Sequence, residues 1–283
     1  MCGNQPSEMY RVLKYILMVL LFATDVLAQQ KGNSPQAGNK AGNGKLITIK
    51  HAANLSFDRN KSNAKFLTGN VVCEHEGAIL NCDTALLYEN ENRMEASGHI
   101  LITKGDSITV TGDRLSYDGK SKLATLQNNV RCVEKDMILT TNLLTFDVAN
   151  SIANYFNGGT IVNKENTLTS KNGHYYSSSK ELAFHYDVEL VNPDYKMKSD
   201  TLKYNTFSKT AYFLGPSIIL SKNDYIYCEN GWYNTDKEKA QFSMNALLMT
   251  KQQKLTGDSL YYDRMAGVGK AYRNIRLIDT AQK

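Results

Sequence analysis

The sequence predicts an all-β protein built from repeats of about 29 residues. Aromatic residues recur along the chain at spacings of 31, 29, 29, 30, 28, 29 and 29. A fixed period of this length is the signature of a repeat architecture. No repeat has the apolar period of an amphipathic helix, and 17 tyrosines with only 4 prolines suit strands. The recurring residues are Phe57, Tyr88, Tyr117, Phe146, Tyr176, Tyr204, Tyr233 and Tyr262.

A leucine lies two positions before most of these aromatic residues. In the segments 115–117 and 202–204, Leu and Tyr are separated by one polar residue, Ser116 or Lys203. A period of two places Leu and Tyr on one face of a strand and the polar residue on the other face. His174 and Gly231 interrupt this leucine column. The leucines are Leu55, Leu86, Leu115, Leu144, Leu202 and Leu260.

The rest of the repeat consists of polar turns and further apolar segments. A polar residue such as Asp118 follows the aromatic residue and opens a turn. A small residue occurs seven positions after the aromatic residue. An apolar segment such as 218–220 follows, so we expect two or three short strands in each repeat. The small residues are Ala64, Ala124, Ala153, Ala183, Ala211, Ala240 and Gly269, with Glu95 in one copy.

An acidic or small polar residue lies four positions before the aromatic residue, as in Asp113, Asp200 and Asp258. Paired carboxylates can serve acid–base catalysis. Here the period of about 29 residues assigns them to the fold instead. We expect them to satisfy backbone groups near the start of a strand.

The amino-terminal segment reads as an export signal. Arg11 and Lys14 precede the apolar run 16–23, and residues 26–28 offer a small-residue cleavage site. Residues 1–28 are therefore predicted to be a signal peptide, whose apolar core is too short to span a bilayer. Residues 29–44 form a polar, glycine-rich linker that we expect to be disordered. The repeat domain is predicted at 45–283. Either its final strand edge is a docking surface, or the repeats continue in a longer protein.

Charge, cysteines and histidines point to no catalytic or metal centre. The net charge of +5 suits anionic partners only weakly and does not indicate nucleic acid. Cys73 and Cys82 flank a predicted turn, so they are either a disulfide across a hairpin or small apolar fillers of the core. The histidines are scattered, no nucleophile elbow or phosphate loop is present, and we predict no cofactor and no metal.

The repeat resembles that of the OstA-like family, which includes periplasmic lipopolysaccharide-transport proteins. The resemblance rests on residues 111–118 (TGDRLSYD), 255–263 (LTGDSLYYD) and 64–71 (AKFLTGNV). It covers about residues 45–283. The segments around His174 and Gly231, which lack the leucine, and the copy without the small residue depart from the pattern.

This resemblance implies a β-jellyroll, or folded taco, in which two facing antiparallel sheets enclose an apolar groove. It further implies a non-enzymatic module that binds lipopolysaccharide acyl chains and joins partners or copies of itself end to end by strand addition, bridging the inner and outer membranes across the periplasm. The residues expected to line the groove are Leu86, Tyr88, Leu115, Tyr117, Leu144, Phe146, Tyr176, Leu202, Tyr204, Leu260 and Tyr262.

Two other classes of protein remain open at this point. One is a structural or adhesive β-solenoid whose interior is packed shut. The other is a β-helical enzyme such as a polysaccharide lyase, which needs acids or bases clustered on one face. The regular spacing of Asp113, Asp200 and Asp258 argues against such a cluster.

Overall fold

The computed structural model describes residues 46–57, 63–105, 108–222 and 224–279. The predicted signal peptide and linker lie outside these residues. The described residues form twenty β-strands and one 3-10 turn at Glu89–Glu91, which confirms the all-β prediction. The first nine strands are β1 Thr48–His51, β2 Asn54–Phe57, β3 Lys65–His75, β4 Ala78–Tyr88, β5 Arg93–Lys104, β6 Ile108–Asp118, β7 Leu123–Glu134, β8 Met137–Asp147 and β9 Ile152–Tyr155. The others are β10 Gly159–Asn163, β11 Asn166–Ser170, β12 Asn172–Tyr176, β13 Glu181–Val191, β14 Tyr195–Asn205, β15 Thr210–Ser221, β16 Tyr225–Asn234, β17 Lys239–Met249, β18 Gln253–Asp263, β19 Val268–Tyr272 and β20 Arg276–Asp279.

The chain divides into two compact units. The described part of the first unit comprises residues 46–159 and 176–178, and that of the second comprises 160–175 and 179–279. Within the first unit, β3 to β8 pair antiparallel in chain order. Within the second unit, β13 to β18 do the same. Each unit is therefore a ladder of consecutive hairpins.

Each complete repeat is one hairpin of two long strands, not two or three short ones. The sequence predicted separate second and third strands in the first repeat, at 64–67 and 71–72. Both lie along one strand, β3, which runs without a break from Lys65 to His75. The sequence suggested two strands there because a polar pair, Gly69-Asn70, separates the apolar residues.

A pair of residues with left-handed backbone interrupts β3, β5, β7, β13 and β17 near their middle, and a single left-handed residue, Gly215, does so in β15. In β7 the pair is Asn128 (φ 62°) and Asn129 (φ 51°), and in β17 it is Met244 (φ 60°) and Asn245 (φ 59°). At these points two residues oppose one residue of the following strand, which is a β-bulge. We call these residues the corner pairs. Others are Gly69-Asn70, Gly98-His99, Tyr186-Asp187 and Arg273-Asn274, the last of which lies between β19 and β20.

The periodic acidic residues bind the corner pairs. Asp113 Oδ2 accepts a hydrogen bond from Asn129 Nδ2 (2.8 Å), and Asp258 accepts one from Asn274 Nδ2 (3.0 Å). These contacts agree with the prediction that Asp113 and Asp258 serve the fold. Their expected place at the start of a strand is wrong, because they lie mid-strand and hold a side chain of the neighbouring corner.

Each corner divides a strand into two arms, and in the first unit the arms face each other. We call the arm that carries the Leu–Tyr pair the aromatic arm and the other the aliphatic arm. Tyr117, on the aromatic arm of β6, reaches His75 on the aliphatic arm of β3, with Oη and Nε2 2.9 Å apart. At the ends of the arms, Lys122 Nζ lies 3.5 Å from Glu76 Oε1. The predicted β-jellyroll is confirmed.

Four-residue turns at the ends of the aromatic arms stack on one another. In the first unit the Gly119 N–H donates to the Asn92 carbonyl (2.8 Å), and in the second the Thr235 N–H donates to the Lys209 carbonyl (2.9 Å). The polar residue after the aromatic caps each turn, as predicted: Asp118 Oδ1 accepts from the backbone N–H of Lys120 (2.8 Å). These contacts repeat the turn geometry along each ladder.

The small residue of the repeat lies opposite the aromatic ring. Ala211 pairs with Tyr204 on one side and Tyr233 on the other, and Ala124 lies between Tyr117 and Phe146. Ala211 and Tyr204 have no exposed surface. The aromatic and the small residue therefore form one alternating large–small row across the ladder, which close packing requires.

The same rule explains Gly231, which interrupts the leucine column. Gly231 lies between Phe213 and Phe242, whose ring centroids are 6.2 Å apart. A Cβ at residue 231 would lie 2.8 Å from the carbonyl oxygen of Gln241 and 3.3 Å from Phe242. The two phenylalanines occupy the space that a leucine fills elsewhere.

We therefore predict that Gly231→Leu, which restores the repeat pattern, destabilises the protein. The added side chain overpacks the core, and the expected loss is about 1–3 kcal/mol in the free energy of unfolding, measured by urea denaturation. Asn230→Leu adds the same side chain at the exposed neighbouring position and should change stability by less than about 0.5 kcal/mol. Equal stability of Gly231→Leu and wild type would contradict the packing described.

Candidate functional site

The inward faces of the two arms form the candidate groove. On the aromatic arm of β6, Leu115 and Tyr117 are buried while Arg114 and Ser116 are exposed. Leu144, Leu202, Tyr204 and Leu260 are likewise buried on their strands. Phe146, Tyr176 and Tyr262 are half-buried. The structure thus places most of the predicted residues along the inward columns of the two units.

Leu86 and Tyr88 do not point inward as expected. In β4 the buried residues are Ala85 and Leu87, and the Tyr88 ring lies under the Arg93 guanidinium, 3.6 Å from its carbon to the ring centroid. A shift of one residue moves every side chain of a strand to its other face. In this repeat Leu87 pairs with Met94, so two medium-sized side chains replace the usual tyrosine–alanine pair.

The aliphatic arms supply the opposite wall of the groove. In the second unit Leu168, Leu190 and Met197 have no exposed surface and lie in register across β11, β13 and β14. Because Leu202, Tyr204 and Phe213 are equally buried on the aromatic arms, this interior is tightly packed in its middle.

A row of polar side chains lies at the outer end of the aliphatic arms in the second unit. Asn192 Nδ2 donates to Asn166 Oδ1 (3.0 Å), and Asn166 Nδ2 donates to the Asn163 carbonyl (3.3 Å). The side-chain amide of Asn163 and the hydroxyl of Tyr195 are buried without a partner among the described residues. Sequence reasoning missed this row, although Asn at both ends of the turn 163–166 was a visible signal.

Burial controls the ionisation of the groove tyrosines. It raises the pKa of Tyr117, with a smaller contribution from Glu76, and it raises the pKa of Tyr195. Both hydroxyls therefore stay neutral near pH 7 and can donate hydrogen bonds to a polar group in the interior.

Cys73 and Cys82 do not face each other across the β3–β4 hairpin. Cys73 lies opposite Leu80, Cys82 lies opposite Val71, and both thiols are free. Of the two alternatives left open by the sequence, the disulfide is not supported, and the role of core filler fits the burial of both side chains. Burial raises the pKa of Cys82 to about 12, so its thiol is unreactive at neutral pH.

The described residues contain no group of three or more His, Cys, Asp or Glu side chains that could hold a metal ion. In the part of the chain that the structure describes, no helix has the length and apolar character needed to cross a membrane.

A ladder of cornered hairpins with inward apolar columns defines a β-jellyroll. The sequence profile of the OstA-like protein family matches residues 44–200 and 199–258, and the chain belongs to this family. Among solved structures it is similar to LptH from Pseudomonas aeruginosa, described as the LptA-homologous periplasmic component of a lipopolysaccharide transport device. That match has 15% identity and a TM-score of 0.32, and covers 35% of this chain and 76% of LptH. No curated protein sequence matches the chain.

His174, which takes the place of a leucine in the column, is predicted to make stability depend on pH. Burial and the neighbouring His185, whose ring centroid is 5.5 Å away, lower the pKa of His174 below its ordinary value of 6.5. The unfolded chain therefore takes up a proton before the folded protein does. Stability is full above pH 6.5 and is lost as the pH falls through the folded pKa.

His174→Leu removes this titration and restores the apolar column. The variant should lose less stability than wild type between about pH 7 and pH 5, measured by urea denaturation at each pH. An NMR titration of the His174 ring gives the independent check: a pKa at or above 6.5 would contradict the assigned burial.

Proposed function

We propose that this chain is a non-enzymatic lipid-transport module of the periplasm that binds the acyl chains of lipopolysaccharide or a related lipid for export to the outer membrane. The observation that carries this proposal is the inward Leu–Tyr column, opposed by an aliphatic wall, in a member of the OstA-like family. Acyl chains gain about 0.8 kcal/mol for each methylene group removed from water.

The interior also offers contacts for the polar part of a lipid. In the second unit the buried amide of Asn163 and hydroxyl of Tyr195 have no partner among the described residues. A buried polar group without a partner costs about 1–3 kcal/mol. A headgroup that bonds to these atoms would remove that cost, so this row favours a lipid with a polar end over a simple hydrocarbon.

A second candidate function is that of a structural or adhesive β-solenoid with a closed core. The complete burial of Leu202, Tyr204 and Phe213 favours it. A lipid could touch these three side chains only after the two arms separate. The two candidates therefore differ in whether the arms open.

Photo-crosslinking tests whether lipid enters. Benzoylphenylalanine at the inward positions Tyr117 and Phe146 should capture lipopolysaccharide in cells, whereas the outward positions Ser116 and Thr145 on the same strands should not. A thiol bridge then tests opening: Glu76→Cys and Lys122→Cys, joined by a reducible bis-methanethiosulfonate linker, should block binding of labelled lipopolysaccharide to the purified protein. Dithiothreitol should restore binding.

Burial raises the pKa of all four described native thiols, Cys73, Cys82, Cys132 and Cys228, which slows their reaction with the linker. Capture at Ser116 and Thr145 alone would overturn the lipid proposal. Absence of binding both before and after reduction would favour the closed solenoid.

We further propose that the module joins partners end to end by strand addition. β19 and β20 pair with β18, and Ile275 and Leu277 are 55% and 61% exposed beside them. Unpaired backbone groups at a sheet edge are a template for another strand, in a second copy or in another bridge component.

Replacing Ile275 and Leu277 together by Lys should weaken self-association of the purified chain, because lysines at an edge oppose strand pairing. Sedimentation velocity over a range of concentrations measures the effect. Met265→Lys is the matched control, since Met265 is 78% exposed on a turn. A monomeric wild type, or equal weakening by the control, would refute edge pairing between copies.

A further inference from the structure

The outward face of the aromatic arms in the second unit carries aromatic rings where the repeat pattern calls for polar residues. Tyr212 lies directly opposite Trp232, and Tyr261 lies two strands further along the same row. Tyr212 is 39% exposed. From β14 to β19 the cross-strand row reads Lys203, Tyr212, Trp232, Gln241, Tyr261 and Lys270.

The equivalent row of the first unit begins with Phe66 on β3 and Leu86 on β4, but it has no aromatic residue from β5 to β9. From β5 to β9 it reads Glu95, Ser116, Thr125, Thr145 and Asn154. Both rows occupy the same position of the repeat, directly outside the leucine and tyrosine columns. From β6 to β9 the fold is therefore satisfied by small polar side chains at this row, so three rings on β15, β16 and β18 of the second unit need another explanation.

A depression of about 410 Å³ lies on this face. It is lined by Thr210, Tyr212, Trp232, Asn234, Lys237 and Lys239. Two ammonium groups and no carboxylate face it. Lys239 shares its charge with Asp263 (3.0 Å), whereas Lys237 forms no ion pair with a described residue. The depression therefore favours an anionic group.

Hydrogen bonds hold the floor of the depression in place. Asn234 Nδ2 donates to Thr210 Oγ1 (2.9 Å) and to the Ser208 carbonyl (2.8 Å). Asn234 Oδ1 accepts from the Lys237 backbone N–H (2.8 Å), which fixes the start of that side chain. A site whose groups are already positioned loses less entropy on binding.

We propose that this depression binds an anionic saccharide. The C–H face of a pyranose ring packs on Trp232 and Tyr212, because aromatic rings present a negative face. A carboxylate or phosphate substituent of the sugar pairs with Lys237 and Lys239. The site lies on the outward face, so it does not depend on lipid entering the interior.

Aromatic rings with lysines also suit single-stranded nucleic acid, but the charges here argue against it. Lys203 pairs with Glu181 (3.3 Å) and Lys239 with Asp263. A polyanion needs a continuous positive track along its backbone, whereas of the two lysines that line the depression Lys239 is paired with Asp263. The geometry suits a single anionic substituent beside a ring.

Trp232 is the only tryptophan of the chain, so its fluorescence reports on this site alone. Tetragalacturonate and glucose 6-phosphate separate a carboxylate from a phosphate ligand, and maltotetraose is the neutral control. We expect a saturable change in emission with at least one anionic sugar, and added salt should weaken this binding. Maltotetraose should bind at least about tenfold more weakly than that sugar.

Tyr212→Ala and Lys237→Gln should each weaken that binding about tenfold, with unchanged unfolding curves. Phe66→Ala removes an outward ring of β3 that does not line the depression and should leave binding unchanged. No response to either anionic sugar would overturn the proposal, as would equal binding of maltotetraose. Tighter binding of an oligothymidylate than of both sugars would overturn it in favour of nucleic acid.

Discussion

The corner pair is the constraint on which the rest of each unit depends. Two consecutive left-handed residues bend a strand where it would otherwise continue straight. Left-handed backbone costs a residue with a side chain about 1–2 kcal/mol. The carboxylate on the neighbouring strand offsets part of this cost, as Asp113 does for Asn129. With the corner in place, one hairpin supplies both walls of the interior, and the Leu–Tyr and aliphatic segments become inward faces together.

Packing across the ladder then limits which side chains each repeat can carry. Tyrosine requires a small partner on both neighbouring strands, as Ala211 is for Tyr204 and Tyr233. Departures occur in compensating sets. Where β5 has Met94 in the small position, β4 turns Leu87 inward. Where two phenylalanines flank β16, its inward residue is Gly231. The residue at each position of the repeat thus depends on the residues opposite it on neighbouring strands as well as on its own strand.

Sequence reasoning succeeded where polar and apolar residues alternate and failed where they do not. In β6 the alternation at Leu115 and Tyr117 predicted the inward face correctly. In β4 the run 85–88 is apolar throughout, so two registers were equally consistent and the choice depended on Met94. The corners were missed because pairs such as Gly98-His99 and Met244-Asn245 share a backbone conformation but no common chemistry.

The separation of the arms could not be predicted either, since a pattern along one strand carries no distance between two walls. The structure supplies the relevant mechanics. At each corner the regular pairing is interrupted, for example between Gln127 and Val130 against β8. Rotation about the corners would therefore separate the arms without breaking the ladder within either arm. The interactions between arm ends, Glu76 with Lys122 and Tyr117 with His75, would break first. A half-exposed ion pair contributes at most about 1 kcal/mol, so these end contacts add little to the cost of separating the arms. The apolar side chains that separation would expose to water, such as Leu202 and Phe213, set that cost.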